Sequence, residues 1–95
     1  MMTQIGNVGT SLCAAVAEEI RGVRLLIEQL AETLVADERF AIDYIDQLQV
    51  FDLVVQHADE SANLLDRLAQ GHDARDAIDK VRLTAVQERL RAAID

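Results

Sequence analysis

Five polar residues recur at helical spacing in the middle of the chain: Gln49, Asp52, Gln56, Asp59 and Asn63. At 100° per residue they line one strip of a helix, immediately beside an apolar seam. Asp52 and Gln56 are four residues apart, so their side chains project together from the same part of that strip. A carboxylate and a carboxamide on a stiff helix can grip a cation and orient a water molecule. They lack the base and nucleophile of a self-contained active site. The remaining strip residues, Gln49, Asp59 and Asn63, are the expected partner-binding contacts around this pair.

Other reactive side chains offer less. Neither His57 nor His72 has a glutamate three residues before it, so the Glu-x-x-His pairs of a di-iron bundle are missing. Cys13 is the single cysteine, which excludes an internal disulfide and a thiolate metal cage. Its neighbours Leu12, Ala14 and Ala15 suggest a small buried side chain. Ser11, Ser61 and Thr84 show no nucleophile-elbow context, and the glycines form no phosphate loop. No metal ligand set and no cofactor site of the chain's own is expected.

The polar strip needs long helices to hold it. Val16, Ile20, Val23, Ile27, Leu30 and Leu34 step by four and three, the seam of a helix packed along its length, and predict a helix over 10–36. Thr10 or Ser11 is its expected cap, 1–9 a flexible arm, and Gly22 a point of close helix approach. A second seam, from Tyr44 through Leu48, Phe51, Val55, Ala58, Ala62 and Leu65 to Ala69, predicts one helix over 38–70. Asp37 would cap it and Gly71 would end it. Unbroken, that helix would be ~50 Å long at about 1.5 Å per residue. A third helix is expected over 74–94 after the Gly71-His72-Asp73 turn.

The fold class is therefore all-α, a long antiparallel hairpin plus a C-terminal helix in a single domain. A second apolar stripe, Val50, Leu53, Val54, Leu64 and Leu68, runs down the side of the second helix away from its seam. Either the third helix covers it or a second copy of the chain does. Two hairpins pairing into a symmetric four-helix bundle is the expected solution.

Composition agrees. The 95 residues are 51% hydrophobic and 3% aromatic, with no proline, which is a helix-bundle vocabulary. Seventeen acidic residues against nine basic ones give a formal charge of −8, which disfavours nucleic acid and anionic membranes. No apolar run approaches the ~18 residues of a membrane span, and the first residues do not read as a signal peptide. A cytoplasmic protein is expected. Eight acids lie between Asp37 and Asp66, so the charge is concentrated along the second helix.

The stretch Gln47-Leu48-Gln49-Val50-Phe51-Asp52-Leu53-Val54-Val55-Gln56 resembles the signature helix of the CheZ-type chemotaxis phosphatases. That family carries Asp-Leu-x-x-Gln, preceded by further glutamines, on the second helix of a long hairpin. Its hairpins dimerise into a four-helix bundle, and a C-terminal helix adds affinity for the phosphorylated response regulator. Val54-Val55 stands where the family has small residues, and the length is closer to the short CheT-like members. The resemblance implies a phosphatase that inserts Asp52 and Gln56 into the response regulator's active site. There Gln56 would orient the attacking water and Asp52 would pair with the regulator's lysine. The Mg²⁺ would be supplied by the response regulator.

Two other functions fit the same helices. The chain could be a dimeric helical adaptor that binds a signalling protein without chemistry. It also faintly resembles a histidine-phosphotransfer domain, through His57-Ala58-Asp59-Glu60-Ser61-Ala62-Asn63. That motif wants Lys and Gly where Glu60 and Ser61 stand, and Asp59 and Glu60 would repel a phosphoryl group. A structural or interface role for His57 is the stronger expectation, and His72 reads as an exposed loop residue.

Overall fold

The computed structural model describes residues 6–95, with side-chain surroundings from Val8 onward. The described residues form five helices: α1 (Gly6–Val35), α2 (Glu38–Asp43), α3 (Ile45–Ala69), α4 (Ala74–Asp79) and α5 (Thr84–Ile94). The two long helices, α1 and α3, pack against each other as the expected hairpin. Residues 1–5 of the predicted flexible arm lie outside the described residues. The rest of that arm, from Gly6 to Gly9, is helical, which corrects the predicted start at residue 10. No proline interrupts the segment, so the backbone ladder continues for another turn and Thr10 and Ser11 sit inside the helix rather than at its cap.

The turn between the long helices follows the sequence signals. Asp37 accepts a hydrogen bond from the Phe40 backbone N–H at 3.1 Å and so caps α2. The single helix predicted over 38–70 is instead broken at Tyr44, whose φ of −126° and ψ of 33° leave the helical region. The Tyr44 ring stacks on Phe40 with centroids 4.8 Å apart, and the bend allows the short α2 to touch α1 as well as α3. The hydrogen-bond ladder spans the bend, from Tyr44 N–H to Phe40 and from Leu48 N–H to Tyr44. Neither proline nor glycine announces the bend.

At its other end α3 closes as predicted on Gly71, which has φ of 91°. The Gly71 N–H donates to the Leu68 carbonyl and the His72 N–H to Arg67, the paired bonds that complete a glycine-terminated helix. Asp73 then caps α4 by accepting from the Arg75 N–H.

The third helix predicted over 74–94 is two helices, because the chain opens between Asp79 and Thr84. Four side chains account for the break. The Glu60 carboxylate accepts the Arg82 backbone N–H at 2.7 Å and the Arg82 Nε–H at 3.2 Å. Arg67 donates to the Ala77 carbonyl through Nε at 3.0 Å and Nη2 at 2.8 Å. The Gln87 amide donates to the carbonyls of Ile78, Asp79 and Val81. Arg91 pairs with Asp79 across the gap at 2.6 Å. Backbone groups freed by leaving the helix are thus answered by side chains, which is the condition for interrupting a helix at low cost.

The buried core is small and lies mostly at this end. Ala62, Ala77, Ile78, Val81 and Val86 are buried there, with Ala17 on α1. Among the described residues no large side chain is fully enclosed. Leu64 and Leu68, at the end where α4 packs, are half-buried, whereas Val50, Leu53 and Val54 stay exposed. The second apolar stripe is thus covered only in part. The molecule is a rod of 57 × 25 × 15 Å with a radius of gyration of 16.4 Å. A compact chain of this length would have about 12 Å.

Gly22 is not a point of close approach. A Cβ built there meets nothing within 4 Å, so the glycine faces open space inside a helix. Gly22→Ala should stabilise the fold by about 0.5–1 kcal/mol in urea unfolding, through helix propensity alone. Glu60→Ala should destabilise it by about 1–3 kcal/mol in the same measurement, because the Arg82 N–H loses its acceptor.

Candidate functional site

The polar strip lies on α3, and α1 divides it into two parts. At the end nearer Gly71 it is zipped to α1 by two arginines. Arg21 donates to Asn63 Oδ1 at 3.1 Å and to Asp66 Oδ2 at 2.6 Å, and also reaches Glu18 on its own helix. The short bond to Asp66 raises the Arg21 guanidinium above its ordinary pKa, against a smaller opposing effect of desolvation. Arg24 Nε lies 3.2 Å from Asp59 Oδ1, within ion-pair range but without hydrogen-bond alignment, so that buried nitrogen makes no hydrogen bond. Asp59 and Asn63 therefore join α3 to α1, with Asp66 completing the set.

The other part of the strip is open. Gln49, Asp52 and Gln56 are all exposed. Among the described residues none of the three has a hydrogen-bond or ion-pair partner within the chain. Asp52 and Gln56 stand one turn apart on an uninterrupted stretch of α3, which gives them the adjacency their spacing predicts. Gln56 also borders a cleft of about 320 Å³ whose other walls are Asp59, Glu60, Arg82 and Leu83. The cleft is formed where the α4–α5 connection crosses α3.

Three of these wall residues are beyond the strip. Glu60 is 5% exposed, and Arg82 and Leu83 come from the break in the third segment. Helical spacing alone signals Glu60, since it follows Gln56 by four residues as Gln56 follows Asp52. Nothing in the local sequence marks Arg82, because its place depends on a chain break that lacks glycine and proline. Arg21 and Arg24 carried a usable signal. Antiparallel pairing brings these two bases on α1 opposite the acids Asp59 and Asp66.

The other candidate residues separate from this site. His57 is half-buried and lines an apolar groove of about 400 Å³ on the opposite flank of α3, with Glu19, Ile20, Val23, Ile27, Val54, Ala58 and Ser61. His72 is exposed in the turn, beside Asp73, Asp76, Asp79 and Lys80 at an open concavity. Cys13 is a free, half-buried thiol. Among the described residues no three His, Cys, Asp or Glu side chains gather as a metal site. Among the same residues, no helix is long and apolar enough to cross a membrane. No protein-family model matches the chain, and neither do any curated proteins or solved structures. The chemistry of the site has to come from its own residues.

The two parts of the strip should separate in stability measurements. Asp66→Ala removes the Arg21 partner and should cost up to about 1 kcal/mol, a value limited by solvent screening of a partly exposed pair. Asp52→Ala and Gln56→Ala should leave stability within about 0.5 kcal/mol of the native protein. Thermal unfolding followed by circular dichroism checks both.

Proposed function

We propose that the chain is a chemotaxis-type phosphatase that hydrolyses the aspartyl phosphate of a cytoplasmic response regulator and works as a homodimer. One observation carries this reading. Asp52 and Gln56 form an adjacent acid–amide pair that is exposed and unengaged among the described residues, with Gln49 likewise open one turn before Asp52. Structural polar residues are held by partners, as Asp59, Glu60 and Asn63 are. A pair with no structural partner on the stiff part of a helix is suited to meeting another protein.

The chemistry requires little of the phosphatase. Water attacks phosphorus as the bond to the aspartyl oxygen breaks; the aspartate leaves with the bonding electrons, and the water's proton passes to phosphate or solvent. Gln56 would accept and donate hydrogen bonds to that water and hold it in line. Asp52 would pair with the regulator's lysine and fix the docking register. Gln49, one turn before, extends the contact surface. The Mg²⁺ belongs to the response regulator's site.

Pairing of two hairpins is supported by the surface left bare. Val16, Val23 and Leu30 recur every seven residues on α1 and all are exposed, Val23 and Leu30 by 52% each. That is an apolar seam without a facing helix. The chain exposes 6664 Å², roughly a fifth more than the ~5400 Å² typical of a compact monomer of this mass. Burying the excess, roughly 1250 Å² per chain, would exceed the standard interface of about 800 Å² per partner and reach the range of obligate homodimers. The helical count puts Val50 and Val54 on the flank of α3 opposite Gln56, so a second copy there leaves Asp52 and Gln56 open.

Two measurements test the reading. Receiver domains charged with a small-molecule phosphodonor should lose phosphate faster with the native protein. Gln56→Ala should abolish that acceleration while keeping binding, and Asp52→Ala should weaken binding as well. Failure to accelerate any encoded receiver would return the chain to the adaptor reading. Light scattering should give twice the 10.5 kDa chain mass, and Val23→Asp should shift the protein toward monomer.

A further inference from the structure

The cleft beside Gln56 contains a cation that the fold does not fully use. Arg82 sits at its rim with a side chain 82% exposed, although its partner Glu60 is only 6% exposed. Glu60 holds the guanidinium from one side, with Nε and Nη2 each 3.2 Å from Oε2. Among the described residues Arg82 has no other side-chain partner, so Nη1 and the outward N–H of Nη2 face solvent. The structural anchor of this loop is the separate bond from the Arg82 backbone N–H to Glu60 at 2.7 Å, which does not need the side chain.

Position adds to this. Asp52, Gln56 and Glu60 climb α3 in successive turns, about 6 Å apart along the axis. Arg82, tethered to Glu60, therefore stands about one turn from Gln56, and both line the cleft of about 320 Å³. The second acid in the cleft, Asp59, lies against Arg24, so both cleft carboxylates face a base. A carboxamide next to a preoriented guanidinium with free donors suits a phosphoryl group whose attacking water lies in line with the bond being broken.

We propose that Arg82 is a further catalytic residue, whose guanidinium binds a non-bridging phosphoryl oxygen of the partner's aspartyl phosphate. The assignment rests on the phosphatase reading and extends it from a pair of residues to three. The bond changes are those already given, with water oxygen joining phosphorus and the aspartyl carboxylate leaving. Arg82 transfers no proton. It stabilises charge on the equatorial oxygens as the phosphoryl group moves between donor and water, while Glu60 limits its rotamers.

The experiment compares native protein, Arg82→Ala, Arg82→Lys and Gln56→Ala on receiver domains phosphorylated by acetyl phosphate, at rising receiver concentration. Arg82→Ala should lower the maximal rate at least tenfold with KM changed by less than about threefold, because the contact is made chiefly in the transition state. Arg82→Lys should recover part of that loss. Arg82→Lys should melt close to native; Arg82→Ala leaves Glu60 with only the backbone N–H and should melt somewhat lower, so rates are read well below both melting temperatures. A native protein that accelerates decay together with an equally fast Arg82→Ala would overturn the assignment while leaving the phosphatase reading intact. So would rates that fall only in step with melting temperature, or a pure KM effect with the maximal rate retained. A native protein inactive on every receiver overturns both.

Discussion

The Glu60 carboxylate is the interaction on which the arrangement of this small molecule turns. A charge at that depth is tolerated only when its oxygens are answered, and here a backbone N–H and a guanidinium answer them. Both come from the same residue, Arg82, so the acid fixes where the chain must leave its helix. That departure separates α4 from α5 and turns Val81 and Val86 inward, where they join Ala77 and Ile78 in the core. Arg67 and Gln87 serve the same junction by capping the carbonyls that the break exposes. Polar groups thus specify the geometry of the end at which apolar burial is greatest.

This concentration has a counterpart along the rod. Toward the hairpin turn, α1 and α3 have only each other and the six-residue α2, and two helices can bury at most the facing stripe of each. Leu26, Leu30, Ile42, Ile45 and Val50 consequently remain exposed. Local opening should therefore be least costly near the turn and most costly where α4 packs. Gln56 and Asp52 lie between these regimes, with the Glu60 junction one turn beyond Gln56. Their backbone is steadied from one side while their side chains stay in water.

The amino-acid pattern made much of this legible. The four–three stepping from Val16 to Leu34 marks the helix that packs on α3, but not burial position by position: Ile20, Ile27 and Leu34 are half-buried while Val16, Val23 and Leu30 stay exposed. Asp37 and Gly71 were equally readable, since a cap oxygen and a left-handed glycine have few alternatives. Tyr44 and the Asp79–Thr84 opening were not. Each is decided by contacts made after folding: ring stacking of Phe40 on Tyr44 in one case, and a carboxylate 22 residues away in the other. Gly22 shows the opposite error, a residue whose type suggested tight packing and whose surroundings are empty. Within the polar strip, spacing correctly grouped Asp52 with Gln56. It could not distinguish them from Asp59 and Asn63, because the difference lies in the arginines of another helix.

That difference bears on what the acidity is for. A helix carrying so many carboxylates would repel itself and its neighbours if all were left unpaired. The hairpin neutralises those next to α1 with Arg21 and Arg24, and the one beneath the C-terminal segment with Arg82. Asp52 escapes this pairing because of its position along the rod. Asp59, seven residues on at nearly the same angle, meets Arg24, whereas α1 carries no base beyond Arg24 toward the hairpin turn, only the acids Glu28 and Glu32. A negative charge kept unpaired beside a carboxamide, which itself stands one turn from a guanidinium that is only half engaged, forms a graded polar surface. Such a surface complements a partner that presents an ammonium group and an oxyanion close together, and it would gain little against a uniformly basic one.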